Sequence, residues 1–428
     1  MNVTAPDRAT ANATALERFC EADPILTDVK PAGEVVPGMS PRTILTSGAP
    51  LAWDEFTGGQ RDAVIGAALY EGLASDSGDA DAKLRSGQIR VSPCHDHGCV
   101  GSMAGIYTAS MPVFVVSNRV AGNVAFCNLY EGESRFRLNY GVYNDEVCDN
   151  LHFIGSVVAP ILAEVVRASG GVELRPIIRR ALNMGDELHS RNTAATLIFT
   201  RELLKALIEV APRLPSEALG RTLEYLKASD YFFLRLSMAA SKATADAAHG
   251  VPGSSLVTAM TWNCRDFAIR VSGLGDTWFR AELPSVHGKF FDGYTPADVE
   301  FMGGESIINE TVGLGGFAQA AAFALQDYQG GTPDDMVRMN LDMYKITSGE
   351  HPIYKIPYLR FRGVPVGIDV FKVIQTGITP VMDVGIAGRG GGQIGAGFLR
   401  APLACFQAAA DSLSAYTNGP KQGEGRAG

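Results

Sequence analysis

The sequence of 428 residues lacks the features of several common protein classes. Its formal net charge is -9 and it contains no Lys- or Arg-rich segment, which argues against nucleic acid or an anionic membrane surface as a partner. No window approaches the roughly 20 uninterrupted apolar residues of a membrane span. The first residues, MNVTAPDRATANATALERF, do not follow the pattern of a secretory signal. We therefore expect a cytoplasmic protein.

Cysteine is scarce and scattered. The seven cysteines are an odd number without a C-x-x-C pair, so we expect free thiols and no zinc finger. The chain also has no G-x-x-x-x-G-K-[ST] phosphate loop and no G-x-S-x-G elbow, which argues against ATP binding by a P-loop and against a serine hydrolase.

One stretch, GRGGGQIGAG at 388–397, matches G-x-G-x-x-G formally. Only 33 residues follow Gly395, and Pro402 interrupts any following helix, so a dinucleotide-binding fold has no room. We expect no cofactor.

The patterns that are present predict an α+β protein of several domains, with two mixed α/β units and an all-helical insert between them. Apolar residues recur at helical spacing in the insert, and β-branched runs bounded by Gly, Pro and Asn mark strands on either side. The stretch VPVGIDVFKVIQTGITPVMDVGIAG is rich in strand-forming residues. The predicted boundaries are 1–90 for a cap or assembly region, 91–153 for the first mixed unit, 154–249 for the helical domain, 250–415 for the second mixed unit and 416–428 for a disordered tail.

The segment CHDHG, at 94–98, is the densest collection of reactive side chains. On an extended backbone, His95 and His97 would point to one face and Cys94 and Asp96 to the other, so one metal ion would not take all four. Three interpretations stay open: a structural polar turn, a substrate-binding or acid–base site, and a metal site. We assign His95, Asp96 and His97 as catalytic candidates and no residue as a metal ligand.

The segment MGDELHSRN, at 184–192, is a second polar cluster. It adds His189 as a catalytic candidate and Asp186, Arg191 and Asn192 as substrate-binding candidates. The alternative is a solvated helix start with local ion pairs. We expect CHDHG and GDELH to meet around one pocket.

Two Gly/Ser loops, GVPGSS at 250–255 and IRVSGLGD at 269–276, lie next to predicted secondary structure. Consecutive backbone N–H groups in such loops can hold a phosphate or carboxylate, and an arginine beside them can add a planar fork of donors. Plain turns are the alternative. The anion-binding candidates are Ser254, Ser255, Arg270, Ser272, Gly273 and Gly275.

Taken in order, these segments resemble the AllG/YlbE family over about residues 25–410. The stretches that carry the resemblance are GQIRVSPCHDHGCVGSMAGIYTASMPVFVV, NMGDELHSRN, MAASKATADAAHGVPGSSLVTAM, FAIRVSGLGDTWF, INETVGLGGFA, FRGVPVGID and QTGITPVMDVGIAGRGGGQIGAG.

The resemblance implies a subunit of a carbamoyltransferase complex that interconverts oxalurate and phosphate with oxamate and carbamoyl phosphate. The implied partners are an FdrA-like subunit, which looks like an acyl-CoA synthetase, and a third small subunit, so we expect an oligomer. Carbamate kinase would then draw ATP from the product. A related ureido or amide substrate, a metal-dependent amidohydrolase and a non-catalytic scaffold subunit remain as alternatives.

Overall fold

The computed structural model describes residues 7–418. Of the tail predicted at 416–428, residues 419–428 lie outside the described residues. The helices are α1 (Arg8–Glu21), α2 (Ala32–Val35), α3 (Gly58–Tyr70), α4 (Ser77–Arg85), α5 (Asp145–Phe153), α6 (Ala159–Ala168), α7 (Leu174–Leu182), α8 (Thr193–Val210), α9 (Ser216–Ala228), α10 (Phe232–Ala247), α11 (Ile308–Thr311), α12 (Gln326–Gln329), α13 (Pro333–Ile346), α14 (Val370–Thr376) and α15 (Leu403–Asn418). The strands are β1 (Pro24–Pro31), β2 (Thr43–Thr46), β3 (Arg90–Pro93), β4 (Cys99–Val100), β5 (Pro112–Asn118), β6 (Val124–Asn128), β7 (Val172–Glu173), β8 (Val257–Trp262), β9 (Asp266–Val271), β10 (Phe279–Glu282), β11 (His287–Phe290), β12 (Val299–Glu300), β13 (Thr347–Ile356), β14 (Arg362–Ile368), β15 (Val381–Gly388) and β16 (Gln393–Arg400).

A five-stranded sheet in the order β4-β6-β5-β1-β7 forms the first half of the molecule, and α6 and α10 pack against it. The predicted helical spacing has its physical cause here, because these helices bury one face on the sheet. Phe114 of β5 meets Phe232 of α10 edge to face at 5.7 Å, and Phe232 stacks on Phe199 of α8 at 5.6 Å. The α+β class predicted from the sequence is confirmed.

The sheets cross two of the predicted domain boundaries. β1, from the predicted cap, and β7, from the predicted helical domain, share a sheet with β5 and β6. β2 pairs in parallel with β3 across residue 90. The boundaries at residues 90 and 153 therefore do not coincide with the edges of the sheets, because strand pairing joins residues far apart in the sequence.

The second half contains the sheets β10-β9-β8 and β11-β16-β15-β12 and the pair β13-β14, with α13, α14 and α15 packed around one apolar core. The stretch VPVGIDVFKVIQTGITPVMDVGIAG is not all strand, since α14 interrupts it. The Asp369 side chain accepts the N–H of Phe371 and caps this helix, and Gly377 ends it in a left-handed conformation. GRGGG forms the turn of the β15-β16 hairpin.

The helical stretch Asp145–Ala168, which comprises α5, a π-helical turn and α6, is the one part of residues 7–418 with the length and composition of a membrane span. Half of its most apolar window is buried inside the molecule, as is common for a core helix. Its α6 portion contributes Ile161, Leu162 and Val165 to the core against β1.

Asn12 of α1 joins the two halves of the molecule. Its side-chain oxygen accepts the N–H of Ser255 at 2.8 Å, and its amide nitrogen donates to Ser255 Oγ at 2.9 Å and to Asp369 Oδ2 at 3.1 Å. These groups are buried, so each depends on its protein partner.

We expect Asn12→Ala to lower the free energy of unfolding by about 1–3 kcal/mol, because it leaves buried polar groups of Ser255 and Asp369 unpaired. Urea denaturation of the full chain measures the effect. Asn183→Ala, at an exposed position after α7, is the control. Equal midpoints for the two variants would contradict this role.

Candidate functional site

The segment 184–192 is a buried loop between α7 and α8, and not a solvated helix start. The carboxylate of Glu187 accepts the backbone N–H groups of His189, at 2.5 Å, of Ser190 and of Arg191, at 3.1 Å. Leu188 has φ 75°, a conformation that costs a non-glycine residue about 1–3 kcal/mol and is common at functional sites. The loop is therefore held in one shape around His189.

Asp186, Arg191 and Asn192 support this loop. Asp186 Oδ2 accepts the N–H of Ala195 at 2.8 Å, near the start of α8. Arg191 Nε lies 3.4 Å from Asp186 Oδ1, and Asn192 donates to the carbonyl of His189 at 2.9 Å. Burial raises the pKa of Asp186 to about 6, although the N–H groups of α8 oppose the shift. Through these contacts the three residues stabilise the loop and attach it to α8.

His189 forms a buried pair with Glu310 of α11. The Nδ1–H donates to both carboxylate oxygens, at 2.7 and 3.0 Å. Gly316 and Asp383 also donate their N–H groups to Glu310 Oε1, at 3.0 and 2.9 Å. Gly315 is required beside this carboxylate, because its φ is 57° and a Cβ would lie 2.2 Å from Glu310 Oε1.

The charges around this pair favour a protonated His189. Burial by itself lowers the pKa of His189, but the charge and hydrogen bond of Glu310 outweigh burial and raise it above the ordinary 6.5. Burial and the charge of Glu310 raise the pKa of Asp383 to about 7, and burial and Asp383 raise that of Glu187 well above its usual range. Since Nδ1 is hydrogen-bonded to Glu310, Nε2 is the ring nitrogen that remains for a ligand.

His189 lines a pocket of about 620 Å³ that also contains two arginines. Arg235 of α10 is 4% exposed and donates to Asn128 Oδ1 at 2.9 Å, while Arg137 donates to the Tyr130 hydroxyl at 3.2 Å. Neither guanidinium forms an ion pair within residues 7–418, and the Nε atom of each is buried without a partner. The other lining residues are Ser102, Met103, Tyr130, Glu133, Tyr140, Ser190, Tyr231, Leu234, Ser306, Tyr328, Gly385 and Gln393.

A buried guanidinium without a carboxylate is costly, so Arg235 indicates a candidate site for an anion. Arg137 is half-buried and lies 4.5 Å from the centre of the Tyr140 ring. The carboxyl group in the wall is that of Glu133, whose pKa is raised by burial. Four tyrosines enclose the remaining space. The arrangement can hold a phosphate or carboxylate beside a protonated imidazole.

CHDHG forms a single 3-10 turn, Cys94–His97, closed by Gly98 in a left-handed conformation. His97 donates from Nδ1 to the carbonyl of Pro37 at 2.6 Å and accepts at Nε2 from the Ser92 hydroxyl at 2.8 Å. Both ring nitrogens are thus occupied, which gives His97 a structural role.

Asp96 and His95 face the second half of the molecule. Asp96 forms an ion pair with Arg270, and Arg270 lies 4.2 Å above the Trp278 ring. His95 is buried, with Nε2 3.8 Å from Glu305 Oε1. CHDHG and IRVSGLGD therefore meet, although neither lines the His189 pocket.

The Gly/Ser loops pair with each other. Ser272 donates its N–H to Leu256 and its hydroxyl to Ala248, and Gly273 donates its N–H to Ser254. A Cβ at Gly273 would lie 2.6 Å from the Ser254 carbonyl oxygen, so glycine permits this contact. The N–H groups of Ser254 and Ser255 bond to Val251 and Asn12. Of the predicted anion-binding loop residues, only Gly275, in the exposed part of the turn, has no such contact within the described chain.

CHDHG and GDELH both contact α10 and the segment that contains Glu305 and Glu310. Lys242 of α10 lies 3.4 Å from the carbonyl of His95, and Ser237 of the same helix donates to the carbonyl of Leu188 at 3.0 Å. His95 faces Glu305 and His189 faces Glu310, five residues later. Among residues 7–418 no hydrogen bond or ion pair joins the two motifs, so the expected shared pocket is divided in two.

The sequence patterns missed Arg137, Arg235 and Glu310. Arg235 had a visible signal, since it interrupts the apolar run FFLRLSMAA on a helix that is buried on all sides. No group of three or more His, Cys, Asp or Glu side chains in the described part of the chain is arranged to hold a metal ion.

The fold is α+β, and comparisons with known proteins define the family to which this chain belongs. The family model for "Oxamate carbamoyltransferase subunit AllG" matches residues 89–306. Escherichia coli AllG, of the same description, is 38% identical over 413 residues, covering 95% of this chain and 97% of its own. The chain belongs to the AllG family.

Two further relatives carry no assigned function. The uncharacterized Escherichia coli protein YahG is 41% identical over 403 residues, covering 94% of this chain and 85% of its own. A crystal structure of a conserved Enterococcus faecalis protein of unknown function superimposes with a TM-score of 0.93 at 39% identity, covering 96% of this chain and 98% of that chain. The whole fold is thus shared.

We expect Glu310→Gln to lower the pKa of His189, because the change removes the charge that opposes burial and keeps the shape of the side chain. Histidine NMR titration of the full chain measures this shift. Glu350→Gln, on an exposed strand, should leave the pKa of His189 unchanged. A pKa of His189 that is equal in the wild type and in Glu310→Gln would refute the pairing.

Proposed function

We propose that this chain is a subunit of a carbamoyltransferase complex that interconverts oxalurate and phosphate with oxamate and carbamoyl phosphate. Membership of the AllG family supports the subunit role. The observation that carries the proposal for this chain is the presence of Arg137 and Arg235 in the His189 pocket without a carboxylate partner among residues 7–418.

The proposed site binds the phosphate and the carboxylate of the ureido substrate. A guanidinium offers planar, paired donors that match either anion. Two arginines suit a reaction between two anions, because neutralising the charge of each reactant lets the two reactants approach each other. The hydroxyls of Ser102 and Ser306, which also line the pocket, can donate to oxygens of the reacting group.

The chemistry in this pocket moves one proton. A phosphate oxygen attacks the ureido carbon, a C–O bond forms, and the C–N bond to the oxamate nitrogen breaks. The proton that the phosphate oxygen loses must reach that nitrogen. Protonated His189, with Nδ1 fixed on Glu310, can donate from Nε2 to the leaving nitrogen and take up the phosphate proton, so the net charge of the enzyme is unchanged.

The proposed partners are an FdrA-like subunit and a third small subunit in a cytoplasmic complex. Within this proposal, His95, His97 and Asp96 do not touch the reacting atoms, because their contacts lie outside the pocket. The runner-up, a metal-dependent amidohydrolase, has no candidate ligand group within residues 7–418.

The isolated chain should show little carbamoyl transfer, because the complex supplies part of the machinery. Phosphate-dependent breakdown of oxalurate, assayed with and without the FdrA-like and small subunits, measures this. Water as acceptor in place of phosphate would favour the amidohydrolase. Full turnover by the pure single chain would show that no partner is needed.

In the reconstituted complex, Arg235→Ala should raise the KM for phosphate by roughly 10- to 100-fold, the value of a lost hydrogen bond to a charged group. Arg362→Ala, at an exposed residue paired with Glu350, is the matched control. Gel filtration confirms that each variant assembles. An unchanged KM for phosphate and for oxalurate in Arg235→Ala would count against this pocket.

A further inference from the structure

Four buried polar atoms without a protein partner gather behind the CHDHG turn. They are Nδ1 and Nε2 of His95, Nε1 of Trp278 and Nε2 of His249, and none forms a hydrogen bond within the described residues. The His95 side chain is 0% exposed, and its ring centroid lies 5.4 Å from that of Trp278. Each unpaired atom would cost about 1–3 kcal/mol, and folded proteins pair nearly all such atoms.

This cluster is separate from the His189 pocket. None of His95, His249 or Trp278 lines that pocket. Glu305 lies between the two sites: its Oε1 is 3.8 Å from His95, while its Oε2 accepts the N–H of Gly101, the residue before Ser102 of the pocket wall. The cluster and the His189 pocket are therefore lined by different residues.

An exposed turn lies next to the cluster. Asp276, between β9 and β10, is 86% exposed at its side chain, and its Oδ1 lies 3.6 Å from His249 Nε2. The preceding Gly275 has φ 58° and ψ -146°, a backbone conformation that favours glycine. Entry of a small molecule to the buried atoms would require this turn to move.

The charges here do not favour an anion. Lys242 is paired with Asp246 at 2.7 Å, and Arg270 is paired with Asp96 and lies 3.9 Å from Asp276. Two cations thus face the carboxylates of three aspartates, and the carboxyl group of Glu305 also lies beside His95. Burial, followed by the charges of Lys242 and Arg270, holds the pKa of His95 well below its usual range, so its ring is neutral.

We infer that the CHDHG turn, together with Trp278 and His249, forms a second binding site that takes a small uncharged carboxamide or ureido group. The indole nitrogen can only donate, whereas a neutral imidazole presents one donor and one acceptor. A carboxamide complements this set, because its oxygen accepts and its NH₂ group donates. The face of Trp278 is already covered by Arg270, so recognition depends on these edges and not on stacking.

The test compares acetamide with acetate, which has the same shape but carries a charge. In the full-length chain labelled with ¹⁵N, millimolar acetamide should shift the ring signals of His95 and the indole signal of Trp278 until they saturate. Acetate at the same concentrations should not. His97 is the internal control, since both of its ring nitrogens are already bonded.

Trp278→Phe keeps an aromatic ring under Arg270 and removes the N–H, so the affinity for acetamide should fall roughly tenfold, the value of about one hydrogen bond. The proposal is overturned if His95 shows no saturable shift, if acetate binds as well as acetamide, or if Trp278→Phe binds acetamide normally. Because acetamide and acetate are compared on the wild-type chain, this part of the test does not depend on whether a variant folds. Arg235→Ala should keep acetamide binding at His95, so failure of the proposed carbamoyl transfer and failure of this second site give different results.

Discussion

The buried carboxylate of Glu310 is the interaction on which the candidate site depends. It receives the imidazole of His189 and the backbone N–H groups of Gly316 and Asp383, so one side chain joins three segments that are distant in the sequence. A buried carboxylate is stable only with such partners, and removing one of them costs several times more than breaking a surface ion pair. The same contact fixes the imidazole and raises its pKa. Position and protonation of His189 therefore have one cause.

The sequence predicted the parts of this structure that depend on neighbouring residues. β9 follows from the alternation of Phe267, Ile269 and Val271, and the helices between residues 159 and 247 follow from apolar spacing. His189 could be selected as a candidate because it belongs to the polar cluster MGDELHSRN, although a helix start with local ion pairs would explain the same pattern. Pairing across long distances could not be predicted: β1 with β7, or Glu310 with His189, leave no local pattern.

A dense motif proved a weaker guide to the pocket than an isolated charge. CHDHG has four polar or reactive side chains in a row, yet His97 and Asp96 are engaged in holding the turn and the second half of the molecule together. Arg235 is the one charged residue in the run FFLRLSMAA of α10, and it lines the pocket directly. The physical difference is the partner: His97 and Asp96 pair with protein groups outside the motif, whereas the guanidinium of Arg235 has no counter-charge within residues 7–418.

Several features in and beside the His189 pocket lower the stability of the folded chain. Among residues 7–418, Arg137 and Arg235 have no carboxylate partner. Met103 of the pocket wall and Leu188, the residue before His189, adopt positive φ angles of 53° and 75°. Each of these features destabilises the folded chain by about 1–3 kcal/mol or more. Packing alone does not account for the guanidinium of Arg235, which interrupts the apolar run FFLRLSMAA of α10. An anion bound between the guanidinium groups would offset the cost of the charges. The proposed anion would thus repay the cost of the two guanidinium groups, while the positive φ angles of Arg360 and Phe361 show that strained backbone is not confined to this pocket.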